Sequence, residues 1–198
     1  LAASKNPMAQ RESRHSYSIS LEQGEITNQK QSGRCWMFAA LNTFRFEVMK
    51  NLNLKTFELS QNYTLFYDKL EKSNYFLESI LETLDEPTQG RLISFLLSAP
   101  LGDGGQWDML CNLVRKYGVV PKEAMPETVS SSATREMTSA LTRKLREDAC
   151  RLRKAYADGS TLDELRQKKE AMMEEIYRVL CICLGEPPKT FDLEVTDK

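Results

Sequence analysis

The sequence predicts a mainly α-helical domain with little β structure. Three observations carry this. Apolar residues recur at three- and four-residue spacing through most of the chain, alternating stretches are confined to its two ends, and clusters of Gly, Pro and Asp cut the pattern at intervals of ten to twenty residues. At 198 residues, 41% hydrophobic and 28% charged, the chain is long enough to bury a sizeable core. A net charge of -1 supplies no field to gather nucleic acid or an anionic membrane, and no window approaches the apolar length of a membrane span.

The elements follow in order. Residues 1–31 are polar and irregular, with one alternating stretch, Tyr17 to Leu21, that reads as a short strand. Met37, Leu41, Phe44 and Val48 share one helical face, which predicts a helix over about 33–51 with Ser32 as N-cap and Gly33 permitting close backbone approach. A second helix is predicted after Ser60 through Leu70, a third over Tyr75–Leu84, and a fourth over Arg91–Ser98. Ala99 to Gly105 is the densest turn cluster, and a helix over Trp107–Tyr117 ends at Gly118 with Pro121 beyond it. Residues 126–133 form a Ser-rich loop. Two long charged helices, about 134–157 and 161–184, are separated by Asp158-Gly159, and the second opens on the capping-box pattern Thr161-Leu162-Asp163-Glu164. Gly185-Glu186-Pro187-Pro188 stops it, and Phe191 to Val195 alternates as a strand would.

Five cysteines, at 35, 111, 150, 181 and 183, form no paired spacing. An odd count of this kind argues for a reducing, cytoplasmic setting rather than a disulfide framework. Cys181 and Cys183 lie in the apolar run Val179 to Leu184 and read as small hydrophobes, too close together for a zinc knuckle. Nothing in the sequence asks for a metal or a cofactor. Residues 135–178 hold eleven Lys/Arg and nine Asp/Glu, and mixed signs at helical spacing read as a solvated helical hairpin or subunit contact, not a nucleic-acid surface.

Chemistry concentrates at Asn28-Gln29-Lys30-Gln31-Ser32-Gly33-Arg34-Cys35-Trp36. A cysteine in the first turn of an apolar helix meets unpaired amides and the positive end of the helix dipole, which favour thiolate over thiol. The same amides can donate to an oxyanion formed beside the sulfur, and Gln29, on the preceding loop, can supply a second donor. Trp36 can shield the site from water. A cysteine at a helix start is more often a buried structural residue, but the polar, glycine-containing approach and the nearby amide favour a nucleophile here.

A glutamine six residues before a Gly-X-Cys-Trp that opens a helix resembles the signature of papain-type cysteine peptidases. Leu59-Ser60-Gln61, Gly104-Gly105-Gln106-Trp107 and the helix end Leu113 to Val120 are similar to further stretches of that family, in its order. Gly33-Arg34-Cys35, Gly104 to Leu110 and Cys183 to Phe191 resemble its bleomycin hydrolase/aminopeptidase C branch.

The resemblance implies an α+β papain-like fold of which this chain carries the mostly helical part. An N-terminal segment and helical half-domain would span 1–125, a helical insertion 126–185, and the start of a β-rich half 186–198. It implies Cys35 as nucleophile, Gln29 with the Cys35 amide as oxyanion donors, Gly104 and Gly105 pairing with the substrate backbone, and Asp103, Gln106 and Trp36 shaping that rim. It implies peptide substrates, cleavage at the amino terminus and a homohexamer. The family also uses a histidine and an asparagine downstream of the cysteine. No histidine follows Cys35, and His15, between Arg14 and Ser16, reads as a surface residue. The expectation is therefore a chain that stops before the second half of the fold and is inactive alone. The alternative is a non-catalytic interaction module of the same fold.

Overall fold

The computed structural model describes residues 16–19 and 24–195. His15 lies outside them, as do Ser20 and Leu21 of the expected first strand, and Tyr17 to Ile19 is irregular. Seven α-helices follow: α1 (Cys35–Asn51), α2 (Gln61–Glu82), α3 (Arg91–Ser98), α4 (Trp107–Tyr117), the single turn α5 (Val129–Ser132), α6 (Arg135–Ala157) and α7 (Leu162–Leu184). Among the described residues β pairing is limited to two isolated bridges, Gln31 with Ala133 in parallel and Leu59 with Pro121 in antiparallel sense.

The central element is α2. The two helices expected over its length are one, because nothing between Leu70 and Tyr75 breaks it and the Ser73 hydroxyl bonds the Lys69 carbonyl within the same turn (2.7 Å). Ser60 caps it, accepting from the Tyr63 amide at 3.0 Å, while its own hydroxyl donates to the Met125 carbonyl at 2.5 Å. Leu65, Phe66, Leu77 and Ile80 are fully buried and meet Leu141, Leu145 and Leu152 of α6 and Leu165, Ile176 and Leu180 of α7. One core thus runs through residues before and after position 126.

Helices α6 and α7 form a hairpin turned at Gly159, whose φ of 95° is open to glycine. The expected capping box closes α7, Thr161 accepting from the Glu164 amide and Glu164 from the Thr161 amide. The charged faces are internally paired: Lys144 with Asp148 and Glu175, and Arg166 and Lys169 with Glu78 of α2. Buried Asn62 of α2 donates to the carbonyls of Pro126 (2.7 Å) and Leu184 (2.8 Å), tying both ends of the 126–184 segment to the core.

Two local expectations change. Ser32 does not cap α1; the helix starts three residues later, with Arg34 at the capping position and no side-chain cap. Phe191 to Val195 is irregular and forms no strand, since no described neighbour offers its backbone a ladder, and all five residues are exposed. Cys181 and Cys183 are half-buried against the core.

Leu145 sits at the contact of α2, α6 and α7 with no exposed surface. Truncating it leaves a cavity that rigid helices close only in part, so Leu145→Ala should lower stability by about 2–5 kcal/mol, read by urea denaturation.

Candidate active site

The turn before α1 is built from its own side chains. The Asn28 carboxamide oxygen accepts from the Lys30 amide at 2.8 Å, and Lys30 takes a left-handed φ of 54°. Gln29 Nε2 donates to the Ser32 carbonyl (2.7 Å), and Ser32 Oγ donates back to the Gln29 carbonyl (2.6 Å), closing a small ring. That ring is why Ser32 is unavailable as a helix cap. Gln31 pairs with the strand-like segment before α6, its amide donating to the Ser132 carbonyl at 2.9 Å.

Cys35 is the first residue of α1 and is exposed. Its amide, like that of Trp36, has no carbonyl one turn back within the helix. The Arg34 carbonyl accepts from the Met37 and Phe38 amides, both at 3.0 Å, which fixes the first turn under the thiol. Met37 and Phe38 are buried, so the inner face of the helix anchors the core while its first residue faces outward.

Opposite the turn lies Ala99–Gly105, and Asp103 joins the two. Asp103 Oδ2 accepts from the Gly33 amide at 3.0 Å and from the Thr134 hydroxyl. Oδ1 accepts from Lys69 Nζ at 2.5 Å and, more weakly, from Thr138 at 3.3 Å. The Asp103 carbonyl accepts from the Trp36 indole at 2.8 Å. Burial by itself would raise the Asp103 pKa, but the Lys69 ammonium, with Thr134 and the Gly33 amide, holds it well below the usual carboxylate range. Lys69 has no exposed side-chain surface, so its charge depends on this partner.

The glycines are set by contact distances. A Cβ on Gly33 would lie 2.8 Å from the Asp103 Cβ, and one on Gly105 would lie 2.5–2.8 Å from three atoms of the Trp36 ring. Trp36 is therefore held between Gly105 and the Lys72 ammonium, 5.5 Å from its ring centroid. Lys72 also donates to the Gly104 carbonyl (2.7 Å) and pairs with Asp68. Gln106 is exposed at the capping position of α4, without a side-chain cap, and the Trp107 ring beyond it meets Phe44 edge-on at 6.2 Å.

Gln29, Cys35, Trp36, Asp103, Gly104 and Gly105 thus converge on one face where two loops meet. Between the turn and α6 runs an open cleft of about 700 Å³, lined in part by Lys30, Ser32, Gly33, Asp103 and Thr134. Among the described residues no three His, Cys, Asp or Glu side chains cluster as a metal site, and no helix is long and apolar enough to cross a membrane. Sequence reasoning missed Lys69, Lys72, Arg34 and Glu127. Lys69 alone left a signal: it stands four residues after Leu65 and seven before Phe76, on the core face of α2.

The site thus brings together an exposed thiol that opens α1, a carboxamide on the preceding loop and a glycine packed against the Trp36 ring. The chain belongs to the Peptidase C1-like family, whose model matches residues 1–198. It is 52% identical over 197 residues to Aminopeptidase C of Listeria monocytogenes, covering 100% of this chain and 44% of that protein. It is 50% identical over 184 residues to human bleomycin hydrolase, covering 92% of this chain and 40% of the relative. The crystal structure of PepW from Lactobacillus rhamnosis superposes with a TM-score of 0.93 at 50% identity, over 99% of this chain and 44% of that one. The chain therefore spans less than half the length of the relatives it matches.

Two outcomes follow from the geometry. Cys35 and Cys150 are both exposed, so access does not separate them. Position does: Cys35 opens a helix and Cys150 lies inside α6. Iodoacetamide near neutral pH followed by peptide mapping should label Cys35 first, and earlier labelling of Cys150 would contradict the nucleophile role. Separately, a carboxylate whose folded pKa is depressed stabilises the protein above its unfolded pKa, about 3.9, and that stability is lost as pH falls through the folded value. Melting temperatures of wild type and Asp103→Asn should differ most near neutral pH and converge as pH drops below about 4.

Proposed function

We propose that this chain supplies the nucleophile and half of the substrate cleft of a cysteine aminopeptidase. The observation that carries the reading is the exposed Cys35 at the start of α1, next to Trp36, whose ring packs against Gly105. Cys35 Sγ attacks the carbonyl carbon of a peptide bond, the carbonyl π electrons move to oxygen, and collapse expels the amine and leaves a thioester on Cys35. The Cys35 amide and the Gln29 carboxamide donate to the transient oxyanion. Gln29 Nε2 carries two hydrogens; one holds the Ser32 carbonyl, and the other is free in number to donate. Gly104 and Gly105 pair with the substrate backbone, and Asp103, Gln106 and Trp36 form the rim. The Lys72 bond to the Gly104 carbonyl fastens this strip to α2.

The leaving amine must gain a proton, and the imidazole that delivers it in this chemistry has no counterpart after Cys35. We assign that base, and the asparagine orienting it, to sequence that the longer relatives have beyond the matched span. The 198 residues alone are inactive in this reading. Restriction to the amino terminus is supported by likeness to Aminopeptidase C, and a reducing, cytoplasmic setting by the five free cysteines; the hexamer is carried over from the family resemblance alone. The rival reading is a peptidase-like interaction module without chemistry.

An aminoacyl fluorogenic amide separates the two. The full-length protein should turn it over, and Cys35→Ser and the 198-residue chain should not. Gln29→Ala should cut kcat about a hundredfold with KM little changed, since its amide meets charge present only in the transition state. A full-length protein no faster than Cys35→Ser would leave the interaction module as the reading.

A further inference from the structure

We infer that Glu127, acting through the buried Arg34, is a positioning residue for Cys35 and Gln29, so that the segment after position 126 sets the reactivity of a thiol about ninety residues earlier. The inference rests on the reading of Cys35 as nucleophile and adds a residue which that reading does not use.

Arg34 directly precedes the thiol, yet its side chain has no exposed surface. Its guanidinium meets Glu127 in a two-pronged pair, Nη1 to Oε1 at 2.9 Å and Nη2 to Oε2 at 2.8 Å. It also lies 4.9 Å from the centroid of Phe38, one turn further along α1. Its remaining donor, Nε, reaches Ser32 Oγ at 2.8 Å. Ser32 Oγ is the group that donates to the Gln29 carbonyl, and the Ser32 carbonyl receives the Gln29 amide. Glu127 is itself fixed by the Ser131 hydroxyl at 2.8 Å, inside the Thr128–Ser131 capping box of α5. An unbroken line of hydrogen bonds therefore runs from α5 through Glu127, Arg34 and Ser32 to Gln29.

That line touches both oxyanion donors of the proposed site. Gln29 is its far end, and the Cys35 amide directly follows Arg34 in its middle. A planar, bidentate pair resists rotation about the Arg34 side chain in a way that a point charge does not. With the pair intact, the peptide plane before Cys35 and the Gln29 carboxamide are held in one register. Without it, Ser32 loses a donor, the Gln29–Ser32 ring loosens, and the amide aimed at the oxyanion wanders. Displacements on the order of 1 Å cost about a hundredfold in rate. The effect falls on kcat, because the peptide-binding strip at Gly104 and Gly105 hangs from Lys72 and Trp36 instead.

The test uses the full-length protein with two variants. Removing one partner strands a buried charge, so the first variant is the double Arg34→Met/Glu127→Leu, which refills the space with apolar atoms. The second is Glu127→Gln, of equal size, which loses the charge and one of the two acceptors. Folding is checked by thermal melting. Three readouts are taken: kcat and KM on an aminoacyl fluorogenic amide, the iodoacetamide rate at Cys35, and the rate at Cys150 as an internal control. Expected are a kcat loss of about tenfold or more, KM within twofold, slower alkylation at Cys35 and no change at Cys150. Either folded variant with kcat and Cys35 alkylation within twofold of wild type overturns the inference, as does a KM rise with kcat intact. Alkylation needs no peptide turnover, which keeps the two readings separable. Slowed Cys35 alkylation in a wild type that hydrolyses nothing would retain the positioning role and discard the peptidase assignment.

Discussion

The Asp103 carboxylate is the constraint on which the rest of the site depends. It is met by a buried ammonium from α2, a hydroxyl from the start of α6 and a backbone amide from the nucleophile turn. Taking Lys69 out of water is tolerable only with this partner in place, since an uncompensated buried charge costs several kcal/mol. The approach that makes the bonds possible leaves no room for a side chain on Gly33. One carboxylate thus fixes the distance between the thiol-bearing turn and the loop facing it, and the carbonyl of the same residue fixes the indole between them.

The site itself is made of loops, but each loop is fastened to a helix that cannot move without disturbing the core. The turn at 28–34 is pinned to α2 through Asp103 and Lys69 and to the segment before α6 through Gln31 and Arg34. The glycine strip is pinned to α2 through Lys72. This is the arrangement that precise chemistry asks of a scaffold: reactive groups on short connections, positions set by packed elements behind them. The helices after position 126 belong to this support. Their buried leucines and isoleucine share a core with α2, and Glu127, Ser132 and Thr134 all touch the catalytic turn or its carboxylate.

What the sequence disclosed, and what it concealed, divides by the range of the interaction. Met37, Leu41 and Phe44 place α1 because helical periodicity is local, and Gly33-Arg34-Cys35-Trp36 with Gly104-Gly105 announces the chemistry because the motif is contiguous. Ser32 looked like a cap because capping is the commonest local use of a serine before a helix, but Arg34 and Gln29 compete for it more strongly. The two helices expected on either side of residues 71–74 are one, and α2 buries Ser73 between them. Arg34 and Glu127 could not be paired by inspection. In a chain that is 28% charged, a buried ion pair ninety residues apart in sequence looks like two solvated side chains until the fold brings them together. The alternating run at 191–195 forms no strand among the described residues, because a ladder is a property of two segments.

The fastenings of the nucleophile turn have a further consequence, in the order of events during synthesis. The groups outside the turn that lock it lie far downstream: Asp103, Glu127, Ser132 and Thr134, the last 99 residues after Cys35 (134 minus 35). At about 5–20 residues per second, the ribosome adds that stretch in roughly 5–20 seconds. Throughout that interval the cysteine is already in the growing chain while the carboxylates, hydroxyl and carbonyl that shape its surroundings are not. If Cys35 is the nucleophile proposed above, the thiol is made early and armed late: a nascent chain carries the cysteine before it carries the groups that position it.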